Sequence, residues 1–307
     1  MADSGPSIAA SRSVARPSAG IALHRYLPAT LLLAPILAFL LAFYVIPFGV
    51  MLGESMSAWS NDPPEVQETT PTLYQYEKTW QRSRTSKAIV RTFRISLISV
   101  ALTFLLSYPI TLMMLRVGAR LRSGILLLTF ISLAASLIVR NYSWLVVLAD
   151  QGLINNVLVG LGIFPRPQRL TYNEWAIIVA LVHYCMPFMI LPIYGALLRI
   201  PGSLWEAPRT LGAGSWTALR TVILPLSMPG VFGGTTLCFA VCASAFVTPL
   251  MLGSPSTAMV SQVAAEQLLV QLNFSWGSAI IFTLTTLTFL LVFVYALIVR
   301  RILKIDV

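Results

Sequence analysis

Charged residues are scarce in this chain of 307 residues, because they make up only 10% of it while 57% is hydrophobic. A soluble domain carries about 25% charged residues, so the composition excludes an ordinary soluble enzyme. Six runs have no Asp, Glu, Lys or Arg: 26–53, 95–115, 123–139, 175–198, 221–265 and 267–299. A helical span needs about 20 apolar residues. We therefore predict an all-α polytopic membrane protein with six spans, near 28–52, 92–115, 124–147, 176–199, 228–252 and 276–299.

Cysteine and histidine are also rare. The three cysteines, Cys185, Cys238 and Cys242, all fall inside predicted spans, so the chain has no disulfide framework facing an oxidising compartment. We interpret them as small packing residues, since a metal site would need more ligands than the nearby His183 supplies. A lone histidine in an apolar helix is a satisfied packing residue or a proton carrier, and the sequence leaves both interpretations open.

Lysine occurs three times, at Lys78, Lys87 and Lys304, and none follows the glycine pattern of a nucleotide-binding P-loop. The chain is therefore expected to bind no ATP or Mg²⁺ of its own, and because no catalytic cluster is visible it is not expected to be an enzyme. Carboxylates are absent from the charge-free runs, although ion-coupled carriers usually place them there. An ion-coupled secondary transporter of small solutes is disfavoured by this absence, and we keep it as the alternative interpretation of the chain's function.

The cations that are present are unevenly distributed. If the N-terminus is cytoplasmic, the cytoplasmic segments hold twelve cations against three acids, Asp3, Glu206 and Asp306. The positive-inside rule then predicts both termini in the cytoplasm of a bacterial inner membrane. It also explains the net charge of +10 without a nucleic acid partner.

The expected organisation follows the spans. Residues 1–24 are a Ser-, Ala-, Gly- and Pro-rich cytoplasmic tail, which we predict to be disordered. Residues 25–91 hold the first span and an external segment that forms a short interfacial helix or contacts a partner. Residues 92–300 hold spans 2–6, with a polar insertion at 201–226, and residues 301–307 are a second cytoplasmic tail.

The polar insertion contains the run SLWEAPRTLGAGSWTALRTVILP, from Ser203 to Pro225. A charged helix–turn–helix between membrane spans predicts contact with a soluble partner. Gly212 and Gly214 supply a turn, and Ser215 is expected to cap a short second helix that stops before Pro225. Ser203 and Glu206 have the spacing of a capping box, so helix capping is the alternative role for Glu206.

This insertion resembles the EAA motif of permease subunits from binding-protein-dependent ABC importers. The motif positions matched in sequence and spacing are Glu206, Ala207, Gly212, Leu224 and Pro225, while Pro208 replaces the second alanine. The resemblance implies the type I ABC importer fold, with a coupling helix between spans 4 and 5. It assigns ATPase coupling to Glu206, Ala207, Arg209, Gly212, Gly214, Arg220, Leu224 and Pro225.

The resemblance also implies partners. They are a dimer of ABC ATPase subunits that binds ATP and Mg²⁺, a second permease subunit that is a related chain, and an external solute-binding protein. Within the family the chain is most similar to the spermidine/putrescine branch, through VRNYSWLVVLADQGLINNVL, MPFMILPIYGALL, ILPLSMPGVFGG and FVTPLMLGS. Ala245 and Leu250 stand where that branch has Glu and Asp, so two acids that would attract a polycation are missing. The solute class stays open among polyamines, opines, amino acids and phosphonates.

Polar residues inside the spans are candidates for the solute path. Interrupted helices are where transporters place their sites, which favours Ser244 and Thr248 near Pro249, with Tyr184, Asn141 and Tyr142 as further candidates. Arg140 has two interpretations: an intramembrane arginine with a functional role, or an interfacial anchor that snorkels outward.

Overall fold

The chain is helical throughout the part that the computed structural model describes, which is residues 33–68, 71–205, 212 and 214–303. No strand occurs in these ranges, which confirms the all-α prediction. The helices are α1 (Leu33–Ser55), α2 (Pro64–Gln67), α3 (Tyr74–Gln81), α4 (Ser83–Arg116), α5 (Ala119–Ala134), α6 (Leu137–Leu148), α7 (Leu153–Gly160), α8 (Glu174–Leu198), α9 (Ser215–Ala243), α10 (Val247–Leu252), α11 (Val260–Ala265) and α12 (Phe274–Leu303).

Six helical stretches of the described chain are long and apolar enough to cross a membrane: Leu33–Ser55, Ser83–Arg116, Leu137–Gly160, Glu174–Leu198, Ser215–Ala243 and Phe274–Arg301. Span four has nearly its predicted ends. Span two begins at Ser83 instead of near residue 92. The helix includes the charged residues that precede the charge-free run, because a helix can extend beyond its apolar part.

The chain divides into two compact units, residues 1–51 and 52–307. In the first unit the described residues belong to α1, which contains a π-helical turn at Leu41–Val45 just before Pro47. Its apolar side chains from Leu33 to Val50 are exposed, as the side chains of a membrane span are when no lipid is present.

The core of the second unit is formed by α4, α8 and α9, which pack against one another along most of their lengths. Glycines allow the close approach of α8 and α9. A Cβ atom on Gly230 would lie 2.5 Å from the Pro192 carbonyl oxygen and 2.6 Å from the Ala196 Cβ. Small residues at a helix contact let two backbones come this close.

The cysteines lie in the same core. Cys185 on α8 has its Sγ atom 3.4 Å from the Sγ atom of Cys242 on α9, and Cys238 lies one turn away. All three are free thiols with no exposed surface. They fill the α8–α9 contact, as the packing interpretation predicts.

The prediction of residues 124–147 as one continuous helix is wrong. The backbone is extended at Ala135 and Ser136, between the end of α5 and the start of α6. α5 rises only about 24 Å, less than the ~30 Å hydrocarbon layer, and both α5 and α6 pack against α8. We therefore assign the third crossing to α5 and α6 in tandem; turns at 149–152 interrupt the alternative stretch formed by α6 and α7.

Two predictions about the fifth span are also wrong. The helix that starts at Ser215 does not stop before Pro225; it continues through a π-helical turn at Leu219–Ile223 into the membrane. That turn changes the hydrogen-bond register just before Pro225, which has no N–H to donate. At the other end the helix stops at Ala243 rather than near 252, and α10 follows as a separate helix that contains Pro249.

Three loop segments meet at one end of the second unit, which we call the first-loop end; they are residues 56–82, 149–173 and 253–273. Asp62 is buried there and accepts hydrogen bonds from Lys78 Nζ at 2.7 Å and the Trp59 N–H at 2.8 Å. Burial alone raises the pKa of the Asp62 carboxyl. The hydrogen bonds from Lys78, Trp59 and Gln75 outweigh burial, so the pKa lies below its ordinary value.

Residues 54–91 also contain the short helix α3, and a short helix was one of the two alternatives that the sequence left open. α3 packs against α12, and Trp276 Nε1 donates to the Thr79 hydroxyl at 3.2 Å. The opposite end, with residues 117–118 and 199–223, is called the insertion end.

Candidate functional site

The polar insertion is described at residues 201–205, at Gly212 and from Gly214 onward. Glu206, Ala207 and Arg209, three of the predicted coupling residues, lie outside the described residues. Gly212 has φ +77°, a left-handed conformation that favours glycine. Gly214 is the N-cap residue of α9 in an extended conformation. The predicted glycine turn is thus confirmed, but Ser215 is the first helical residue and not the cap.

The remaining predicted coupling residues lie on the first turns of α9. Arg220 is exposed, whereas Leu224 and Pro225 are half-buried. Leu224 packs against the hydrophobic core, so it joins the start of α9 to the rest of the bundle. Residues 220–225 thus hold an exposed cation, a leucine packed on the core and a half-buried proline.

Trp216 was not predicted as a functional residue, and the insertion end presents it prominently. Its side chain is 72% exposed and lines a cleft of about 370 Å³ between α4 and α9. Trp205 and Arg116 also line this cleft. The signal in the sequence was an aromatic residue one position after the Gly-Ala-Gly-Ser turn, where an exposed indole has no packing reason.

A hydroxyl pair connects the start of α9 to α4. The Tyr108 and Ser227 hydroxyls lie 3.1 Å apart, and Ser227 also donates to the Leu224 carbonyl at 2.9 Å. Tyr108 precedes Pro109 inside α4. The hydroxyl pair thus links the start of α9 to α4 one residue before its proline.

Arg140 stands at the helix break of the third span and is only 6% exposed. Its Nη2 group donates to the carbonyl oxygens of Ser132, in the last turn of α5, and of Ala135, in the break that follows. Its guanidinium lies 5.0 Å from the centre of the Tyr184 ring on α8. The interpretation of Arg140 as an outward-snorkelling anchor is wrong, because the side chain turns inward to satisfy carbonyls that the broken helix leaves free.

The neighbours of Arg140 form a buried polar cluster. Asn141 is 1% exposed, and its Nδ2 atom, like Nε and Nη1 of Arg140, has no hydrogen-bond partner in the described part of the chain. Trp144 Nε1 donates to Nδ1 of His183 at 3.1 Å, as the packing interpretation of His183 predicts. The predicted path residues Asn141 and Tyr184 thus lie close to each other around Arg140.

The other predicted path residues are more dispersed. Tyr142 is 63% exposed, whereas the adjacent Asn141 is buried. Ser244 is exposed in the non-helical link after α9 and donates to the Ala240 carbonyl at 2.9 Å. Thr248 is buried on α10, which packs against α6. The structure brings the two helices together but leaves the role of each side chain a prediction.

The sequence model of one protein family matches residues 107–304, and the family is described as the binding-protein-dependent transport system inner membrane component. The chain belongs to this family.

Relatives of this permease include the spermidine/putrescine transport system permease protein PotB of Haemophilus influenzae. It is 34% identical over 198 residues, which cover 64% of this chain and 69% of that protein. PotB of Escherichia coli is 26% identical over 209 residues, covering 68% and 76%.

Solved structures share the fold of the permease. A chain of a bacterial ABC transporter that imports the acidic polysaccharide alginate has a TM-score of 0.76 at 18% identity, covering 92% of this chain and 98% of that one. A chain of the MetNI methionine ABC transporter in an inward-facing conformation has a TM-score of 0.56 at 20% identity, covering 72% and 97%. These likenesses confirm the type I importer fold.

The chain is therefore a permease subunit of an ABC importer for small solutes, and a multi-pass inner-membrane protein. Membership of this family decides against the ion-coupled secondary transporter. It also accounts for the helical insertion between the fourth and fifth spans, which a carrier working alone does not need.

Proposed function

We propose that this permease forms half of an ATP-driven import path whose insertion end faces the cytoplasm and docks on an ABC ATPase subunit. The ATPase dimer binds ATP and Mg²⁺, a second permease subunit completes the path, and an external binding protein delivers the solute at the first-loop end. Both termini are cytoplasmic in this arrangement. The positive-inside distribution of Arg116, Arg120 and Arg122 at the insertion end supports it.

One observation carries the coupling proposal: the turn at Gly212 is followed by a helix that runs without interruption from Ser215 to Ala243. A movement imposed on the turn is transmitted along about 43 Å of helix, past the core contact with α8, to the link at Ser244. This favours direct mechanical coupling, in which the ATPase states bias two states of the path. Glu206, Ala207, Arg209 and Arg220 are proposed to contact the ATPase.

The proposed solute is a small organic molecule of the polyamine type or a related class such as an opine, an amino acid or a phosphonate. The relatives named for spermidine and putrescine support the polyamine class. Ala245 and Leu250 speak against a site built from the two expected acids. Leu250 is 57% exposed and lines a cleft of about 390 Å³ with Phe246, so its apolar side chain is available to a less cationic solute.

Tyr184, Asn141, Tyr142, Ser244 and Thr248 are proposed to line the path. Bulky substitutions at Ser244 or Thr248 are expected to change solute uptake while ATP hydrolysis stays coupled to the binding protein. Cysteine labelling from the aqueous phase checks the geometry, because side chains that face only lipid would not react.

The test is ATPase stimulation of the assembled complex. The permease is co-expressed with its partner permease and ATPase, reconstituted in nanodiscs, and supplied with a panel of external binding proteins, each with and without its solute. Stimulation by one liganded binding protein supports the importer and identifies the solute class. A complex that copurifies without any ATPase subunit, with solute uptake by the permease alone, would overturn the proposal.

A further inference from the structure

Four basic residues follow one face of α4 at the first-loop end. Arg84, Lys87, Arg91 and Arg94 are spaced by three, four and three residues, which places them on one side of a helix. Cations are usually depleted on the external side of a span. This stripe is therefore an exception to the positive-inside distribution of cations in the rest of the chain.

Two carboxylates hold three of the four cations in position. Arg84 forms a two-bond pair with Glu266 at 2.6 and 3.0 Å, and Arg91 and Arg94 both reach Glu174, at 3.1 and 2.6 Å. Lys87 is exposed and forms no ion pair with any residue that the structure describes. Four cations and two acids leave a net charge of +2, on side chains whose positions are largely fixed before any partner arrives.

The stripe borders two hollows. One, of about 210 Å³, lies between α4 and the loop at 255–258 and is lined by Arg84, Lys87, Arg91 and Ser256, among others. Arg91 closes its floor by donating from Nη1 to the Ala258 carbonyl at 2.9 Å. The second, of about 330 Å³, is lined by Ser86, Lys87, Val90, Arg91 and Arg94. Lys87 and Arg91 thus form the wall between two hollows that are each wide enough for a carboxylate side chain.

The height of the stripe distinguishes a protein partner from lipid. The charge-free run of α4 begins at Ile95, and Lys87 lies eight residues before it, about 12 Å further along the helix. A lipid headgroup layer is about 5–8 Å thick. Arg94 and Arg91 lie within the reach of lipid phosphates, whereas Lys87 and Arg84 extend beyond them.

We propose that the external binding protein docks on this stripe, with Asp or Glu side chains of its own surface in the two hollows beside Lys87. The proposal rests on the proposed function, because it assumes that the first-loop end is external and receives such a protein. Fixed cations with their donors preformed recognise carboxylates without a large ordering cost, and steer the encounter by charge. The stripe then selects the orientation in which the binding protein opens over the path.

The experiment uses the complete nanodisc complex and the binding protein that stimulates its ATPase. The concentration of liganded binding protein that gives half-maximal ATPase stimulation is measured for wild type, Lys87→Glu and Lys87→Arg. Reversing the charge at Lys87 is expected to raise this concentration about fivefold at low salt, and the difference should shrink at 0.5 M salt. Lys87→Arg keeps the wild-type value, and basal ATPase activity is the same in all variants.

Arg166→Glu is the matched control, because Arg166 is exposed at the same end but lines neither of the two hollows. It makes the same change in net charge and is expected to shift the concentration less than twofold. Equal shifts for Lys87→Glu and Arg166→Glu would overturn the proposal.

A third arm separates lipid from protein. If Lys87→Glu acts only in nanodiscs that contain phosphatidylglycerol, and not in phosphatidylcholine nanodiscs, the stripe binds lipid and the docking proposal is wrong. If no liganded binding protein stimulates the wild-type complex, the proposed function fails and the docking proposal falls with it. If the binding protein stimulates the wild-type complex and Lys87→Glu needs the same concentration of it, the docking proposal is wrong but the proposed function stands.

Discussion

The two ends of the bundle are joined in different ways. At the first-loop end, ion pairs connect α4 to residues 80 or more positions away: Arg94 and Arg91 to Glu174, and Arg84 to Glu266. Near the insertion end, the Tyr108 and Ser227 hydroxyls lie 3.1 Å apart and link α4 to α9, and the Trp216 side chain is 72% exposed. Among the described residues, ion pairs between distant segments thus hold the first-loop end, and we expect conformational change to start at the insertion end.

The largest effect is expected at the glycine turn of the insertion end. Gly212→Asp places a carboxylate on the proposed ATPase contact and should lower solute transport about 100-fold, a loss typical of a disrupted interface contact. Uptake into proteoliposomes and binding-protein-stimulated ATPase activity measure it.

The other end supplies the control for this change. Gly162 also has a positive φ, +71°, and a Cβ there would have open space around it, as at Gly212. Gly162→Asp therefore carries the same backbone strain at the first-loop end and should retain transport. Equal losses in the two variants would show that strain, and not docking, is responsible.

A second effect is expected where the two ends are connected through the third span. Arg140→Met removes the donor to the Ser132 and Ala135 carbonyls inside the bundle, which should cost about 1–3 kcal/mol of stability. Arg140→Lys keeps one donor and should fall between methionine and wild type. Thermal unfolding of the purified complex compares wild type, Arg140→Lys and Arg140→Met. Equal unfolding temperatures for Arg140→Met and wild type would contradict a stabilising role of the hydrogen bonds from Arg140.

A smaller effect should separate coupling from stability. Tyr108→Phe removes one hydroxyl contact, worth about 1 kcal/mol, at the insertion end. Tyr295→Phe removes a similar contact, 2.9 Å to the Thr235 hydroxyl between α12 and α9. Both should lower the unfolding temperature by similar amounts, but only Tyr108→Phe should reduce the number of solute molecules moved per ATP. If both variants moved fewer solute molecules per ATP, the Tyr108 contact would have no particular role in coupling.

The smallest effect is a pH dependence at the first-loop end. The pKa of Asp62 is lowered in the folded protein, so its contribution is present above the unfolded pKa of about 3.9 and is lost as the pH falls below that value. Hydrogen-exchange protection of residues 74–81, corrected for intrinsic rates, should fall on going from pH 6 to pH 3.5. Asp62→Asn should be less protected at pH 6 and should not change with pH; a parallel fall in both would contradict the assignment to Asp62.

The residue pattern predicted the features that follow from local chemistry. Charge-free runs set the number of spans, because uncompensated charge is costly in hydrocarbon. Gly212 was predicted as a turn because no other residue adopts a left-handed conformation so readily.

The features that were missed depend on contacts between distant residues. The break at Ala135 and Ser136 has no glycine or proline to announce it, and Arg140, a turn later, supplies the donor that makes it tolerable. The continuation of α9 through Pro225 depends on a π-helical turn, which has no sequence pattern of its own. The pairing of α4 cations with Glu174 and Glu266 requires knowing which loops meet.

The length of α4 sets a mechanical ratio. It has 34 residues, about 51 Å, and its weakest point is Pro109, which donates no backbone hydrogen bond. About 39 Å of helix lies on the first-loop side of that proline and about 11 Å on the insertion side. If the helix pivots there, a shift of 1 Å at the insertion end becomes one of roughly 2–4 Å along the basic stripe. A binding protein held on the stripe therefore acts on the long arm of this lever. A small force from the binding protein is then enough to balance a larger force that the ATPase exerts at the insertion end.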